Sequence, residues 1–307
     1  MKIIRDITHF KPDFQPISLT IGSFDGLHLG HQFLLNQVTS LAKKKHGESI
    51  VVTFENHPRA FLAKNHQSIY TLSHKLHLLE EMEVDNIVLF KFNEEFKEQS
   101  AEKFLRLLHE SIPFSNLILG HDSKLGKDRQ GTEEIVNAMS KNLGFDINYL
   151  EPLEVNNQAI SSTLIRSFIQ NGDLTSVEKL LGRKYSIRNQ VIKGTAQGKQ
   201  LGFPTANLDV SELALPPFGV YAVLVQFDNR LEKAVANLGF APTMRQDNIP
   251  VLEIHLLESQ EDLYGKDLNV IFYDYLRAEK RFSTIQELQA QIARDVQDAN
   301  QILKIIN

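Results

Sequence analysis

The chain has 307 residues, of which 42% are hydrophobic, with a formal net charge of −5 and no cysteine. This length suggests about two domains, and the apolar content is too high for a disordered chain. Without cysteine the protein has no disulfide, thiolate or Cys-based zinc chemistry, and its acidic balance argues against nucleic acid as a partner.

The stretch ISLTIGSFDGLHLGHQFLL, residues 17–35, predicts a strand, a glycine turn and a helix. Apolar residues alternate up to Ile21 and then recur at helical spacing from Leu29. Gly22 and Gly26 allow a sharp turn between the two elements. Because the start of a helix presents unpaired N–H groups, we expect this turn to bind a phosphate.

His28 and His31 lie at that helix start, about one turn apart. At this spacing both imidazoles can reach the same phosphate group. Two surface histidines and a metal-binding pair are the alternatives, but the strand and glycine turn in front of them favour a nucleotide.

The rest of the first half alternates strands with helices. We predict strands over residues 49–55, 86–92, 116–120 and 146–150, and helices over residues 72–83 and 100–111. Strands separated by helices pair in parallel, which predicts a doubly wound α/β sheet. Ligands of such a sheet bind beyond the carboxyl ends of its strands. Four polar or glycine-rich segments fall there: residues 22–31, 56–58, 120–122 and 161–163.

Three hydroxyl residues, Ser161, Ser162 and Thr163, precede an apolar periodic stretch and therefore occupy a helix start. Hydroxyls and N–H groups at this position either cap the helix or hold a phosphate. Arg166, one turn later, can add a fixed positive charge to the same anion. An ordinary cap followed by a surface arginine is the alternative.

The pattern changes near Arg183, so we predict domains over residues 1–182 and 183–307. Short strands without intervening helices predict an antiparallel β-barrel; they cover residues 185–192, 205–208, 219–227, 233–238, 251–257 and 269–275. A final helix begins with a capping box formed by Thr284 and Glu287. Its predicted buried stripe consists of Ile285, Leu288, Ile292, Val296 and Ile302.

The loop around Gly194, Gly198 and Gly202 allows backbone to approach a phosphate, and Lys199 adds positive charge to it. After Pro204 the chain is extended, so Thr205 and Asn207 share one face. Their side-chain oxygens suit Mg²⁺, although a polar strand face is the alternative.

Glu253 and His255 face away from Leu252 and Ile254 in the next barrel strand. That second face is exposed either to solvent or to a ligand cleft.

Motifs in both halves occur in order and at characteristic spacing. They are GSFDGLHLGH (residues 22–31), TFENHP (53–58), ISSTLIR (160–166), GRKY (182–185), LGFPTANL (201–208), FGVYAV (218–223), ANLGFAPT (236–243), LEIHLL (252–257), DLYG (262–265) and LRAEKRF (276–282). In these motifs the chain resembles the bacterial bifunctional riboflavin kinase/FAD synthetase family. The resemblance extends from about Ile17 to Ile292.

The resemblance implies that the first domain transfers AMP from ATP to FMN. His28 and His31 would then bind the reacting phosphate. The ATP-binding turn would contain Gly22, Ser23, Phe24, Asp25 and Gly30, and the phosphate chain would also contact Ser162, Thr163 and Arg166. His57 and Asp122 would contact the flavin.

For the second domain the resemblance implies phosphorylation of riboflavin with ATP and Mg²⁺. Thr205 and Asn207 would hold the metal ion, and Gly194, Lys199 and Gly202 the nucleotide. Glu253 would accept the proton of the ribityl hydroxyl, and Arg277 would lie on a loop that closes over flavin or nucleotide, unless it is a solvated arginine paired with Glu279.

One segment departs from the family pattern, because Ser123 and Leu125 stand where the family usually has aromatic residues. Lost aromatic stacking would weaken FMN binding. The chain is accordingly expected to be a bifunctional enzyme, with a kinase of impaired adenylyltransferase activity and a non-catalytic flavin-binding regulator as alternatives.

The expected partners are ATP, riboflavin, FMN and FAD, and the oligomeric state stays open. No apolar run reaches the ~20 residues that cross a bilayer, and the N-terminus does not resemble a signal peptide. We therefore expect a cytoplasmic enzyme that has no membrane partner.

Overall fold

The computed structural model describes residues 1–63, 66–155, 157–194, 198, 202–240, 249–259 and 261–304. The chain forms two compact units. One contains Met1–Ser68 and Lys75–Ser162, and the other contains Ile69–His74 and Thr163–Asn307. Among the described residues, no helix combines the length and the apolar character needed to cross a membrane.

The first unit is built on a parallel sheet, as predicted. In chain order its six described strands are β1 (Lys2–Ile4), β2 (Ile17–Ile21), β3 (Glu48–Phe54), β4 (Asn86–Phe90), β5 (Asn116–Gly120) and β6 (Asp146–Leu150). Their spatial order is β1-β4-β3-β2-β5-β6, and every pairing is parallel. Sequence analysis missed β1, because three residues are too few to show a strand period.

The helices of this part of the chain are α1 (Leu29–Lys44), α2 (Pro58–Leu62), α3 (Leu72–Glu81), α4 (Glu94–Lys97), α5 (Ala101–Ser111) and α6 (Glu133–Leu143). Ser100 caps α5 as predicted, since its hydroxyl accepts a hydrogen bond from Lys103 N at 3.2 Å. Helix α3 ends earlier than predicted, shortly before Glu83, which has a left-handed φ of 55°. A hairpin of β7 (Glu154–Val155) and β8 (Gln158–Ala159) follows the sheet.

The strand order reverses next to β2. From β2 the chain moves to β3 on one side, whereas β5 lies on the other side of β2. Segments beyond the carboxyl ends of β2 and β5 therefore diverge and leave a crevice, which is the usual ligand position in such sheets. Gly22 and His121 are the first residues beyond these two strands.

The second unit contains α7 (Ser162–Gln170), whose first residue still belongs to the first unit. Helix α8 (Leu174–Leu181) and the predicted barrel follow. The barrel strands are β9 (Ser186–Ile192), β10 (Ala206–Asp209), β11 (Gly219–Phe227), β12 (Arg230–Phe240), β13 (Pro250–Leu256) and β14 (Asp267–Arg277). They form a closed antiparallel barrel in the order β10-β13-β12-β11-β14-β9. Strand β12 begins three residues before the predicted start because Asp228 and Asn229, both with positive φ, form a two-residue hairpin turn.

The final helix, α9 (Ile285–Leu303), packs on the barrel. Its capping hydroxyl, that of Thr284, accepts from Glu287 N at 3.2 Å, but the Glu287 carboxylate accepts from Ser283 N rather than from the cap residue. The predicted stripe is wrong at Ile285, which is 61% exposed. Val296 and Ile302 pack against the barrel core as predicted. The fully buried residues of the helix lie at intervals of four and are Asp295, Ala299 and Leu303.

Candidate active sites

The turn after β2, residues 22–28, is held in an unusual backbone conformation. Phe24 has left-handed dihedral angles of φ 50° and ψ 37°, and Gly26 has φ 79°. A Cβ at Gly22 would lie 3.0 Å from the Phe24 ring, so the absence of a side chain there lets the ring pack closely against the backbone. The buried Asp25 accepts a hydrogen bond at its backbone oxygen from Ser162 Oγ at 2.9 Å. The turn is thereby joined to the first residue of α7.

His28 caps helix α1. Its Nδ1 accepts from His31 N at 3.3 Å, and its ring stacks on that of His31 with centroids 3.6 Å apart. Gly30 leaves room for this arrangement, since a Cβ there would lie 3.2 Å from His28 Nδ1. A neutral imidazole that accepts at Nδ1 carries its proton on Nε2. His28, which is 6% exposed, therefore offers a hydrogen-bond donor, which suits a phosphate oxygen better than a metal ion.

Beyond β3 a second histidine caps a helix. His57 Nδ1 accepts from Arg59 N at 3.1 Å at the start of α2, and its ring stacks on His66 at 4.2 Å. Donor atoms of Asp25, His57 and His66 all lie within 4.8 Å of one another, a grouping that could hold a metal ion. The tautomer of His57 argues against this, because its Nε2 bears the proton while Nδ1 accepts. A flavin contact stays the prediction for His57.

Lys75 was missed by sequence analysis. It is 9% exposed, and its Nζ donates to Phe54 O at 2.7 Å, Thr53 Oγ1 at 3.2 Å and Ser23 O at 3.4 Å. Burial lowers the pKa of Lys75 to about 8, and the negative charge of Asp25 partly opposes this. Its helical spacing could have identified it, because Lys75 lies three and four residues before Leu78 and Leu79 and therefore on the buried face of α3.

The loop with the unusual composition, residues 120–131, is packed against α5. Leu125 is buried in the hydrophobic core and pairs with Gly131 through two backbone hydrogen bonds of 2.8 and 3.1 Å. A Cβ at Gly126 would lie 2.3 Å from Ala101 N, so this close approach requires glycine. The position of Leu125 inside the core indicates that its identity affects packing rather than flavin stacking. Asp122 is exposed and its carbonyl accepts from Arg129 at 3.2 Å.

Thr163 and Arg166 belong to the second compact unit, whereas Ser162 belongs to the first. Arg166 Nη2 donates to Thr163 Oγ1 at 3.2 Å. The predicted helix start is correct, since α7 begins at Ser162. The hydroxyl of Thr163 takes part in a local hydrogen bond, whereas that of Ser162 bonds to the distant Asp25.

In the barrel, Glu253 lies on β13 with Asn207 of β10 and Asn237 of β12 as its register partners. Its carboxylate is partly buried, and burial together with the nearby charge of Glu279 raises its pKa above the ordinary value. A Cβ at Gly239 would lie 2.1 Å from Glu279 Oε1, so this glycine makes room for the second carboxylate. A carboxylate with a raised pKa is a stronger base, which suits proton abstraction.

Asn207 is 7% exposed and packs against a glycine: a Cβ at Gly194 would lie 2.2 Å from Asn207 Nδ2. Thr205 precedes β10 by one residue and is exposed, and a Cβ at Gly198 would lie 3.1 Å from its Oγ1. His255, on the same face as Glu253, bonds through Nδ1 to Pro204 O at 2.9 Å and so holds the segment in front of Thr205. Gly202 has φ 86°, and Lys199 lies outside the described residues.

Arg277 ends strand β14 rather than lying on a loop. Its guanidinium forms hydrogen bonds of 2.7 to 3.1 Å with the carboxylate of Asp295, which is 3% exposed and lies on α9. The alternative of a solvated arginine paired with Glu279 is therefore wrong. Arg277 joins the barrel to the final helix.

Two family models match the chain. Residues 10–164 match FAD synthetase and residues 181–303 match riboflavin kinase. A bifunctional riboflavin kinase/FMN adenylyltransferase from Haemophilus influenzae is 36% identical over 97% of this chain and 98% of its own length. The protein of the same name from Pseudomonas fluorescens is 33% identical over 96% of each chain. A crystal structure titled macrolide-efflux protein, from Streptococcus pneumoniae, has a TM-score of 0.79 at 26% identity and covers 98% of this chain and 99% of that one.

Proposed function

The chain belongs to the bifunctional riboflavin kinase/FMN adenylyltransferase family, and on this premise we propose which of its residues carry out each reaction. The enzyme phosphorylates riboflavin to FMN with ATP. It then transfers AMP from ATP to FMN and releases pyrophosphate, which gives FAD. Both family domains are present, so the alternatives with one activity or none are not favoured.

For adenylylation we assign the turn after β2 and helix α1 to ATP. An FMN phosphate oxygen bonds to the α-phosphorus while the bond to pyrophosphate breaks, so negative charge must be neutralised there. The Nε2–H group of His28 and the neighbouring His31 supply donors to that phosphate. Gly22, Ser23, Phe24, Asp25 and Gly30 shape the turn, with Ser162, Thr163 and Arg166 as further phosphate contacts and His57 and Asp122 as flavin contacts.

For phosphorylation we assign Glu253 as general base. It takes the proton of the ribityl hydroxyl as that oxygen attacks the γ-phosphorus and ADP leaves. Positioning of the reactants contributes most in such reactions. The hydrogen bond between His255 and Pro204 O supports positioning, because it fixes the backbone directly before Thr205. Gly194, Lys199 and Gly202 are the proposed nucleotide contacts.

Mg²⁺ fits the oxygens of Thr205 and Asn207. The buried amide of Asn207 is wedged against Gly194, which limits its motion and suits a cation that demands fixed geometry. When bound, the ion would neutralise charge on the phosphates of ATP. Arg277 stays a proposed flavin contact, and its bond to Asp295 supports a role in placing the segment that follows β14.

We place the functional boundary near Arg183, close to the start of the riboflavin kinase match at residue 181. We propose the cytoplasm as the location because both reactions consume ATP. The observation that carries the whole proposal is the match to a family domain in each half of the chain. Incubating the protein with ATP, Mg²⁺ and either riboflavin or FMN, followed by chromatography of the flavins, tests it. FAD is expected from both mixtures, and no phosphorylated flavin from riboflavin would overturn the kinase assignment.

Substituting Glu253→Gln should lower riboflavin phosphorylation at least ~100-fold, within the range of general base catalysis, and leave FAD formation from supplied FMN intact. His28→Ala should have the reverse effect. The exposed Glu258→Gln and His9→Ala are matched controls that should retain both activities. Phosphorylation at the parental rate by Glu253→Gln would show that another group is the base.

A further inference from the structure

Lys75 is a buried charged group that the proposed mechanism leaves unused. It lies on α3, yet its side chain reaches the carboxyl ends of two strands of the sheet. Its three N–H groups have three acceptors within reach: Ser23 O in the turn after β2, and Thr53 Oγ1 and Phe54 O at the end of β3. One side chain thus joins the proposed ATP turn to the neighbouring strand.

Burying an ammonium group is costly unless charge or hydrogen bonds compensate. None of the three hydrogen-bond acceptors of Lys75 is charged, and Asp25 supplies the opposing negative charge that acts on it. An apolar side chain of the same length would fill the space without that cost. The cost is offset when a polyanion binds nearby, because attraction between charges is strong in a poorly solvated site.

The turn itself needs support. Phe24 and Leu27 both have positive φ, of 50° and 41°, which L-residues adopt at an energetic cost. The bond to Ser23 O holds the residue that precedes Phe24. Such strain persists only where surrounding contacts fix the backbone.

We propose that Lys75 is a positioning residue for FMN adenylylation, which fixes the turn after β2 and adds positive charge at the edge of the sheet where ATP binds. This inference rests on the proposed adenylyltransferase site. Lys75 acts through Ser23 and the strand ends, and it takes no part in bond making.

Lys75→Met and Lys75→Arg test the proposal in the full-length protein, with the exposed Lys43→Met as matched control. Lys75→Met should lower kcat/KM for ATP in FMN adenylylation at least tenfold, with riboflavin phosphorylation within twofold of the parental rate. Lys75→Arg keeps a cation at this position and should restore part of the lost activity. The control should match the parent in both reactions.

A pH profile separates the charge of Lys75 from its packing. Parental adenylylation should fall as the pH rises through about 8, where Lys75 loses its proton, and this alkaline fall should be absent in Lys75→Arg. The proposal would be overturned if folded Lys75→Met kept the parental kcat/KM for adenylylation. Loss of both activities together would also overturn it, because Lys75 would then only support the fold. If the parental protein makes no FAD from FMN, the proposed function itself fails.

Discussion

At the scale of single residues, the hydrogen-bond partners of the histidines decide what chemistry they offer. His28 and His57 both cap helices through Nδ1, so each carries its proton on Nε2. His255 bonds to a carbonyl, which can only accept, so its proton lies on Nδ1. Sequence analysis identified two of these residues as ligand contacts, but their tautomers depend on neighbours that only the fold supplies.

The carboxylate pair of the barrel gives a prediction at the same scale. Riboflavin phosphorylation should rise with pH as Glu253 ionises, and Glu279 raises the pKa at which this happens. Glu279→Gln removes that negative charge, which lowers the pKa of Glu253. The acidic limb of the kinase pH profile should therefore move to lower pH.

The measurement is kcat/KM for riboflavin between pH 4 and pH 8 in the parent, Glu279→Gln and the exposed Glu258→Gln. Only Glu279→Gln should move the acidic limb. A shift to higher pH, or the same shift in both variants, would contradict the electrostatic coupling between Glu253 and Glu279.

At the scale of elements, helix α9 depends on a polar anchor within its buried face. Asp295 lies on the same buried line as Ala299 and Leu303, and its carboxylate accepts hydrogen bonds from Arg277 and Gln291. The predicted stripe contained only apolar residues and therefore missed it. From sequence alone, a carboxylate on the buried face of a helix looks unfavourable. Its partner, Arg277, lies at the end of strand β14, so the pair becomes apparent only in the folded structure.

Substituting Asp295→Ala should destabilise the barrel unit by ~3–5 kcal/mol, because it leaves the guanidinium of Arg277 without its buried partner. Urea unfolding followed by circular dichroism measures this effect. Asp298→Ala, exposed on the same helix, is the control and should change stability by less than ~0.5 kcal/mol. Equal effects of the two substitutions would show that the ion pair does not stabilise the helix.

In the loop of residues 120–131, the structure changes the expected effect of the missing aromatic residues. The absence of aromatic residues at Ser123 and Leu125 suggested weakened flavin binding. In the structure Leu125 packs in the core of the first unit, where a larger ring would have to displace its neighbours. The departure from the family pattern at Leu125 therefore lies at a core position, where it affects packing.

At the scale of the whole molecule, the chain carries two reactions that share FMN as product and substrate. No covalent link between enzyme and flavin is needed, so FMN made by one molecule can react in another. Mixing His28→Ala, which retains the kinase, with Glu253→Gln, which retains adenylylation, should therefore restore FAD synthesis from riboflavin.

The assay follows FAD by chromatography in each variant alone and in the mixture, with riboflavin, ATP and Mg²⁺. Each variant alone should make FAD from riboflavin at least ~100-fold more slowly than the parent. If the mixture also makes none while each variant retains its own half-reaction, FMN does not pass through solution between molecules.

The fold class, most elements and the family could be predicted from sequence alone, because strand and helix periods and contiguous motifs are local properties of the chain. Sequence analysis also identified the turn at residues 22–28 and the carboxylate of Glu253. Only the tertiary structure revealed Lys75 beneath that turn, Glu279 near Glu253, and Asp295 as partner of Arg277. Each of these contacts joins residues far apart in the chain, and their burial and charge depend on neighbours that folding brings together.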